Sequence, residues 1–190
     1  KKKEKKISFD KNEKYFLSIG RFTKQKNHLL IINCFSKICQ KYPDIKLLII
    51  GSGELKNKYL DAIKKYDLEK KIYLIDHQKN IFNYLKSCIA LISTSLWEDP
   101  GFVMIEAAAS NTLVISSDCP CGPKEFIGTN SGLLFVNNNS ISLEKKILQF
   151  LDMNDDEIKK LKINAKKKSI KFTKLNHYQI LSSHFNNLNL

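Results

Sequence analysis

The stretch Ile45-Lys46-Leu47-Leu48-Ile49-Ile50-Gly51-Ser52-Gly53 decides the fold. A short apolar run rich in β-branched residues and stopped by glycines reads as a strand, and its lack of polar alternation means that both faces are covered. Cys88-Ile89-Ala90-Leu91-Ile92-Ser93 repeats the pattern. Strands of this kind belong to parallel sheets, whose crossover connections lay helices on either side. Outward from these runs the chain alternates accordingly. Tyr15–Ile19 reads as a strand, Asn27–Tyr42 as a helix, Ile45–Ile50 as a strand and Glu54–Tyr66 as a helix. Ile72–Ile75 (strand), Ile81–Ser87 (helix), Cys88–Ser93 (strand), Phe102–Ser110 (helix), Thr112–Ser116 and Gly132–Val136 (strands) continue it. The expectation is an α/β fold with a doubly wound, mainly parallel six-stranded Rossmann-like sheet. After Ser140 the chain turns helical and polar, over Ser140–Leu151, Asp155–Ile170 and Leu175–Leu188. Residues 1–13, with their lysine-rich start, read as a linker, and 14–190 as one domain.

The formal net charge of +13 comes almost wholly from lysine, Arg21 being the only arginine. Nucleic-acid footprints are patterned and use arginine, so nucleic acid is not the expected partner. The cysteines, Cys34, Cys39, Cys88, Cys119 and Cys121, are odd in number and lack CxxC spacing, which suits free thiols in a reducing cytoplasm. The Cys119/Cys121 pair has no second Cys/His pair at zinc-like spacing, so no metal site is expected. No apolar run approaches the roughly 20 residues that cross a bilayer, so any membrane contact is expected to be peripheral, on its inner face.

Open α/β sheets bind ligands beyond the carboxyl ends of their strands. The first such loop, Gly20-Arg21-Phe22-Thr23-Lys24-Gln25-Lys26-Asn27, sets a guanidinium and an ammonium between a strand end and a helix start. Arginine offers phosphate a planar fork, lysine a point charge, and the helix start its amides. A solvated basic loop is the plainer alternative, but the chain's one arginine stands where bidentate geometry matters. Gly51-Ser52-Gly53 would let the backbone approach a ligand, or would simply turn tightly. Lys56 replaces the third glycine of a dinucleotide fingerprint, which argues against a dehydrogenase. The fourth strand opens into Glu98-Asp99-Pro100-Gly101-Phe102-Val103-Met104-Ile105-Glu106. Asp99 capping a helix, with Pro100 in its first turn, would aim the amides of Gly101, Phe102 and Val103 at an anion. Glu106, leaning back from the second turn, and Glu98 would flank that anion as hydroxyl acceptors, since neither has an obvious neighbour that would raise its pKa. The alternative is favourable charge at a helix start.

In this order the G-R-x-x-x-x-K loop, the K-L-x-I-x-G-x-G strand and turn, the E-x7-E element and the G-P-x-E…G-L-L segment at Gly122–Leu134 resemble glycosyltransferase family 4 and its GT-B relatives, over Tyr15 to Leu151. The resemblance implies the C-terminal, nucleotide-sugar-binding domain of a retaining hexosyltransferase of bacterial cell-surface polysaccharide synthesis. Glu98, Arg21 and Lys26 would then be catalytic, Arg21 and Lys26 holding the donor diphosphate, Glu98 the transferred sugar and Glu106 the ribose. The donor site would also include Gly20, Gly51, Gly53, Asp76, His77, Gly101, Phe102 and Val103, with the base near Gly51–Gly53 and Asp76-His77-Gln78. The implied donor is a UDP-sugar in preference to a GDP-sugar, with no tightly bound cofactor and no metal. A separate N-terminal domain, absent from the chain, would bind a glycan or lipid-linked acceptor. Asp99-Pro100 departs from the Gly-Phe that many members carry after the first glutamate, which bears on the identity of the sugar. The rivals are a nucleotide-sugar epimerase of the same fold and a non-catalytic basic module binding nucleic acid or membrane.

Overall fold

A computed structural model describes residues 13–99 and 101–187. The linker expected at 1–13 falls almost wholly outside them, as do Pro100 and Leu188. The element order is β1 (Tyr15–Ile19), α1 (His28–Lys41), β2 (Lys46–Ile50), α2 (Lys56–Lys65), β3 (Ile72–Ile75), α3 (Phe82–Ser87), β4 (Ala90–Ser93), α4 (Phe102–Ala109), β5 (Val114–Ser117), α5 (Pro123–Ile127), β6 (Leu133–Phe135), α6 (Ser140–Asp152), α7 (Asp155–Ser169) and α8 (Lys174–Asn187), with a 3-10 turn at Ile170–Phe172 before α8. The six strands form one sheet in the order β3-β2-β1-β4-β5-β6, every pairing parallel.

The alternation of Cβ direction along each strand divides the apolar runs between two cores. Phe16, Leu47, Ile49, Ala90, Ile92 and Ile115 face α1, α2 and α6. Leu17, Leu48, Ile50, Leu91 and Val114 face α3, α4, α5 and α7. Burying a large aliphatic or aromatic side chain stabilises by about 1.5–3 kcal/mol, which explains why the strand run Leu47–Ile50 carries no polar residue. The thiols serve the same packing: burial pushes Cys34 and Cys88 up to about 12 and Cys39 up to about 11.

Helix ends follow the local chemistry. Asn154 caps α7 by accepting from the Glu157 amide, while the Glu157 carboxylate accepts from the Asn154 amide. Asn139 caps α6 by accepting from the Ser142 amide. The Asp99 cap expected for α4 does not form. Gly101 takes the cap position with φ +78, and α4 starts at Phe102. A Cβ at Gly101 would lie 2.5 Å from the Met104 methyl, so a left-handed, side-chain-free residue turns the chain here.

Candidate functional site

Between β1 and β4 the strand order reverses, and a cleft of about 440 Å³ opens beyond the carboxyl ends of β1, β2 and β3. Gly20, Arg21 and Lys26 line it from the loop after β1, Gly51 and Ser52 from the loop after β2, His77 and Lys79 from the loop after β3, and Val103 and Glu106 from α4.

Phe22 shapes the first loop. It is fully buried, its amide donates to Ser52 O at 2.8 Å, and its carbonyl accepts from the Leu55 amide at 3.0 Å. Its ring meets Tyr59 and His28 edge-on. This contact favours the tight-turn alternative for the glycines. A Cβ at Gly51 would lie 1.9 Å from Gly20 O, and one at Gly53, whose φ is +153, would lie 2.7 Å from Phe22 O. The backbone approached is the chain's own. Gly51 still lines the cleft; Gly53 does not. With Phe22 turned inward, Arg21 stands exposed at the cleft.

His28 underpins the same loop from the first turn of α1. Its Nδ1 lies 3.2 Å from Ser18 Oγ and its Nε2 lies 3.4 Å from Gly20 O. Burial pushes its pKa from 6.5 down to about 4, against the Gly20 hydrogen bond, and the Lys26 charge acts in the same direction as burial. The ring is therefore neutral at physiological pH. It donates from Nε2 to Gly20 O and accepts at Nδ1 from Ser18, a tautomer assigned from its partners.

Lys26 and Glu98 meet across the switch point. Lys26 Nζ is 2.7 Å from Glu98 Oε1 and 2.9 Å from Oε2, and the side chains are 17% and 7% exposed. Ser95 Oγ donates to Glu98 Oε1 at 2.5 Å, and Ser117 Oγ donates to Ser95 O. Thr94 Oγ1 donates to Lys26 O at 2.9 Å, and the Leu96 amide donates to Gln25 O at 2.8 Å. These bonds zip the two loops together. The structure thus pairs two residues that the sequence reading gave separate ligand contacts.

Glu106 sits one turn beyond Val103 on the same face of α4. Burial, and not a neighbouring group, raises its pKa. Besides Gly53, four expected site residues do not line the cleft: Asp76 pairs with Lys56 at 2.5 Å, Phe102 is 62% exposed, and Glu98 and Gly101 lie behind Lys26 and at the α4 cap. Sequence reasoning missed His28, Ser95, Ser117 and Lys79. Ser95, three residues before Glu98, was the one findable by its spacing.

A six-stranded parallel sheet in this order, with a basic and acidic cleft at its switch point, defines the Rossmann-like domain found as the C-terminal half of GT-B glycosyltransferases. The chain belongs to the glycosyl transferases group 1 family, whose model matches residues 1–168. It is 44% identical over 112 residues to an uncharacterized glycosyltransferase of Methanocaldococcus jannaschii, covering 59% of this chain and 28% of that protein. It is 33% identical over 165 residues to the N-acetylgalactosamine-N,N'-diacetylbacillosaminyl-diphospho-undecaprenol 4-alpha-N-acetylgalactosaminyltransferase of Campylobacter jejuni, covering 86% of this chain and 44% of that one. A crystal structure of a mutant of Staphylococcus aureus TarM, in complex with fondaparinux, alpha-GlcNAc-glycerol and UDP, superposes with a TM-score of 0.83 at 29% identity, covering 97% of this chain and 37% of that one. The matched regions cover less than half the length of each of these relatives.

Proposed function

We propose that this chain is the donor-binding half of a retaining glycosyltransferase that moves a hexose-type sugar from a UDP-sugar, in preference to a GDP-sugar, to a glycan or lipid-linked acceptor. One observation carries the reading: Arg21, Lys26 and Glu106, from elements far apart in sequence, line a single cleft at the switch point. Arg21 and Lys26 suit a diphosphate by fork and point charge. Glu106 suits the ribose hydroxyls as an acceptor when ionised. The base would lie over the ends of β2 and β3, beside Gly51 and His77.

In this reading the diphosphate draws Lys26 off Glu98, and the released carboxylate turns to the hydroxyls of the transferred sugar. The negative charge that develops on the leaving nucleotide is met by Arg21, Lys26 and the first amides of α4 at Gly101–Val103. The names of the relatives support the substrate classes. The Campylobacter enzyme is named for an undecaprenol-linked substrate, and the TarM mutant was crystallised with UDP. Because the matches cover less than half of each relative, the acceptor is assigned to a domain outside residues 1–190, and the chain alone should bind donor without turning it over.

Calorimetric titration with UDP and GDP tests the donor half. Saturable binding of UDP is expected, weakened about tenfold, or about 1.4 kcal/mol, by Arg21→Ala and by Glu106→Ala. Folded protein that binds neither nucleotide, or binds with both variants unaffected, overturns the reading.

A further inference from the structure

The solvent face of α7 is organised in a way that the donor cleft does not use. Its inner face, with Ala165 and Ser169 buried, packs against α4. On the outer face Ile163 is 42% exposed and Ile170, continuing the helix, is 60% exposed. At about 3.6 residues per turn, residues seven apart fall on one stripe, so the two isoleucines are in line. Lys159 and Lys166, again seven apart, run along one side of that stripe, and Lys160, Lys167 and Lys171 along the other. All five lysines are exposed, and among the described residues none of them forms an ion pair. The acidic side chains of α7, Asp155, Asp156 and Glu157, are confined to its first turn, where Glu157 closes the cap.

From this face we infer that α7 is a docking surface for an anionic lipid bilayer, lying in the plane of the headgroups. Branched aliphatic side chains between two lysine rails fit that partner on both counts. The isoleucines enter the headgroup boundary, and the lysines lay their stems along it while their ammonium groups meet lipid phosphates. A nucleic-acid surface would instead favour arginine forks and stacking aromatics on the stripe. Because α7 rests on α4, which carries Glu106, docking would hold the donor cleft close to the membrane surface. The inference uses residues outside the cleft, so its failure leaves the donor reading standing.

The test is flotation of the whole chain with phosphatidylcholine vesicles, with and without phosphatidylglycerol. Binding is expected only with the anionic lipid, weakened several-fold at high salt because the charge contact is screened. Ile163→Ser with Ile170→Ser keeps the net charge and should weaken it about tenfold, since interfacial affinity scales with buried apolar area. Lys159→Gln with Lys166→Gln should weaken it several-fold and flatten the salt dependence. Binding that ignores the lipid charge overturns the inference. So does anionic binding untouched by the isoleucine variant, which would belong to the lysine-rich start at residues 1–6. Sedimentation showing this face closed between two copies, or RNA captured in preference to vesicles, overturns it as well.

Discussion

Removing the charge of Lys26 while leaving Glu98 in place should unsettle the domain more than removing both charges. The ammonium lies 2.7 and 2.9 Å from the two carboxylate oxygens, and Glu98 is 7% exposed. Stripping the partner from a buried ion pair costs about 3–5 kcal/mol, because the remaining charge keeps its desolvation and loses its attraction. Here the Ser95 hydroxyl stays at 2.5 Å and the adjoining cleft admits water, so about 2–3 kcal/mol is expected for Lys26→Met. At about 2–4 °C per kcal/mol for a chain of this size, the variant should melt about 5–10 °C lower. The double variant Lys26→Met with Glu98→Gln has no buried charge to satisfy and should return to within about 1 kcal/mol of the parent. Urea unfolding followed both by the fluorescence of Trp97, the only tryptophan, and by far-UV circular dichroism measures this and tests two-state behaviour together. A single variant within about 0.5 kcal/mol of the parent, or a double variant less stable than the single, refutes the reasoning.

Three further outcomes follow from the same geometry. UDP affinity should fall as pH drops through the raised pKa of Glu106, since only the carboxylate accepts from two ribose hydroxyls, and Glu106→Gln should remove that part of the pH dependence in calorimetry. His28 is lowered from 6.5 to about 4 by burial, so between those values the unfolded chain binds more protons. Stability present above pH 6.5 should therefore be lost towards pH 4 by about 3 kcal/mol, and the difference in urea stability between the parent and His28→Gln across that window isolates it. Gly51→Ala would set a methyl 1.9 Å from Gly20 O and should cost about 3 kcal/mol or more, whereas Ser52→Ala, at an exposed neighbour, should stay within about 0.5 kcal/mol in the same assay.

The sheet was legible because its strands are covered on both faces. Leu47-Leu48-Ile49-Ile50 sends alternate residues into two cores, and an apolar run is the only pattern that satisfies both. Element ends were less legible. At the start of α4 the sequence offers Asp99 as a cap, but a glycine in the left-handed region ends the loop two residues later, a choice set by Met104 packing close behind it. Arg21, Lys26, Val103 and Glu106 could be placed at one crevice because strand order alone brings their loops together.

What strand order does not convey is which side chains in the crevice touch one another. Lys26 and Glu98 are 72 residues apart, and their contact depends on Thr94 and Leu96 bonding to the backbone of the first loop, bonds that no spacing announces. The glycines at 51 and 53 show the same ambiguity from the other side. A missing Cβ signals that something comes close, and it is silent on whether that is a ligand or the chain itself. Here Phe22, buried by its contacts with Tyr59 and His28, folds the first loop back onto the second and takes up the space that the glycines vacate. The glycines therefore act on the cleft at one remove. They let Phe22 seat, and a seated Phe22 leaves its neighbour Arg21 exposed at the cleft, where a diphosphate could reach it.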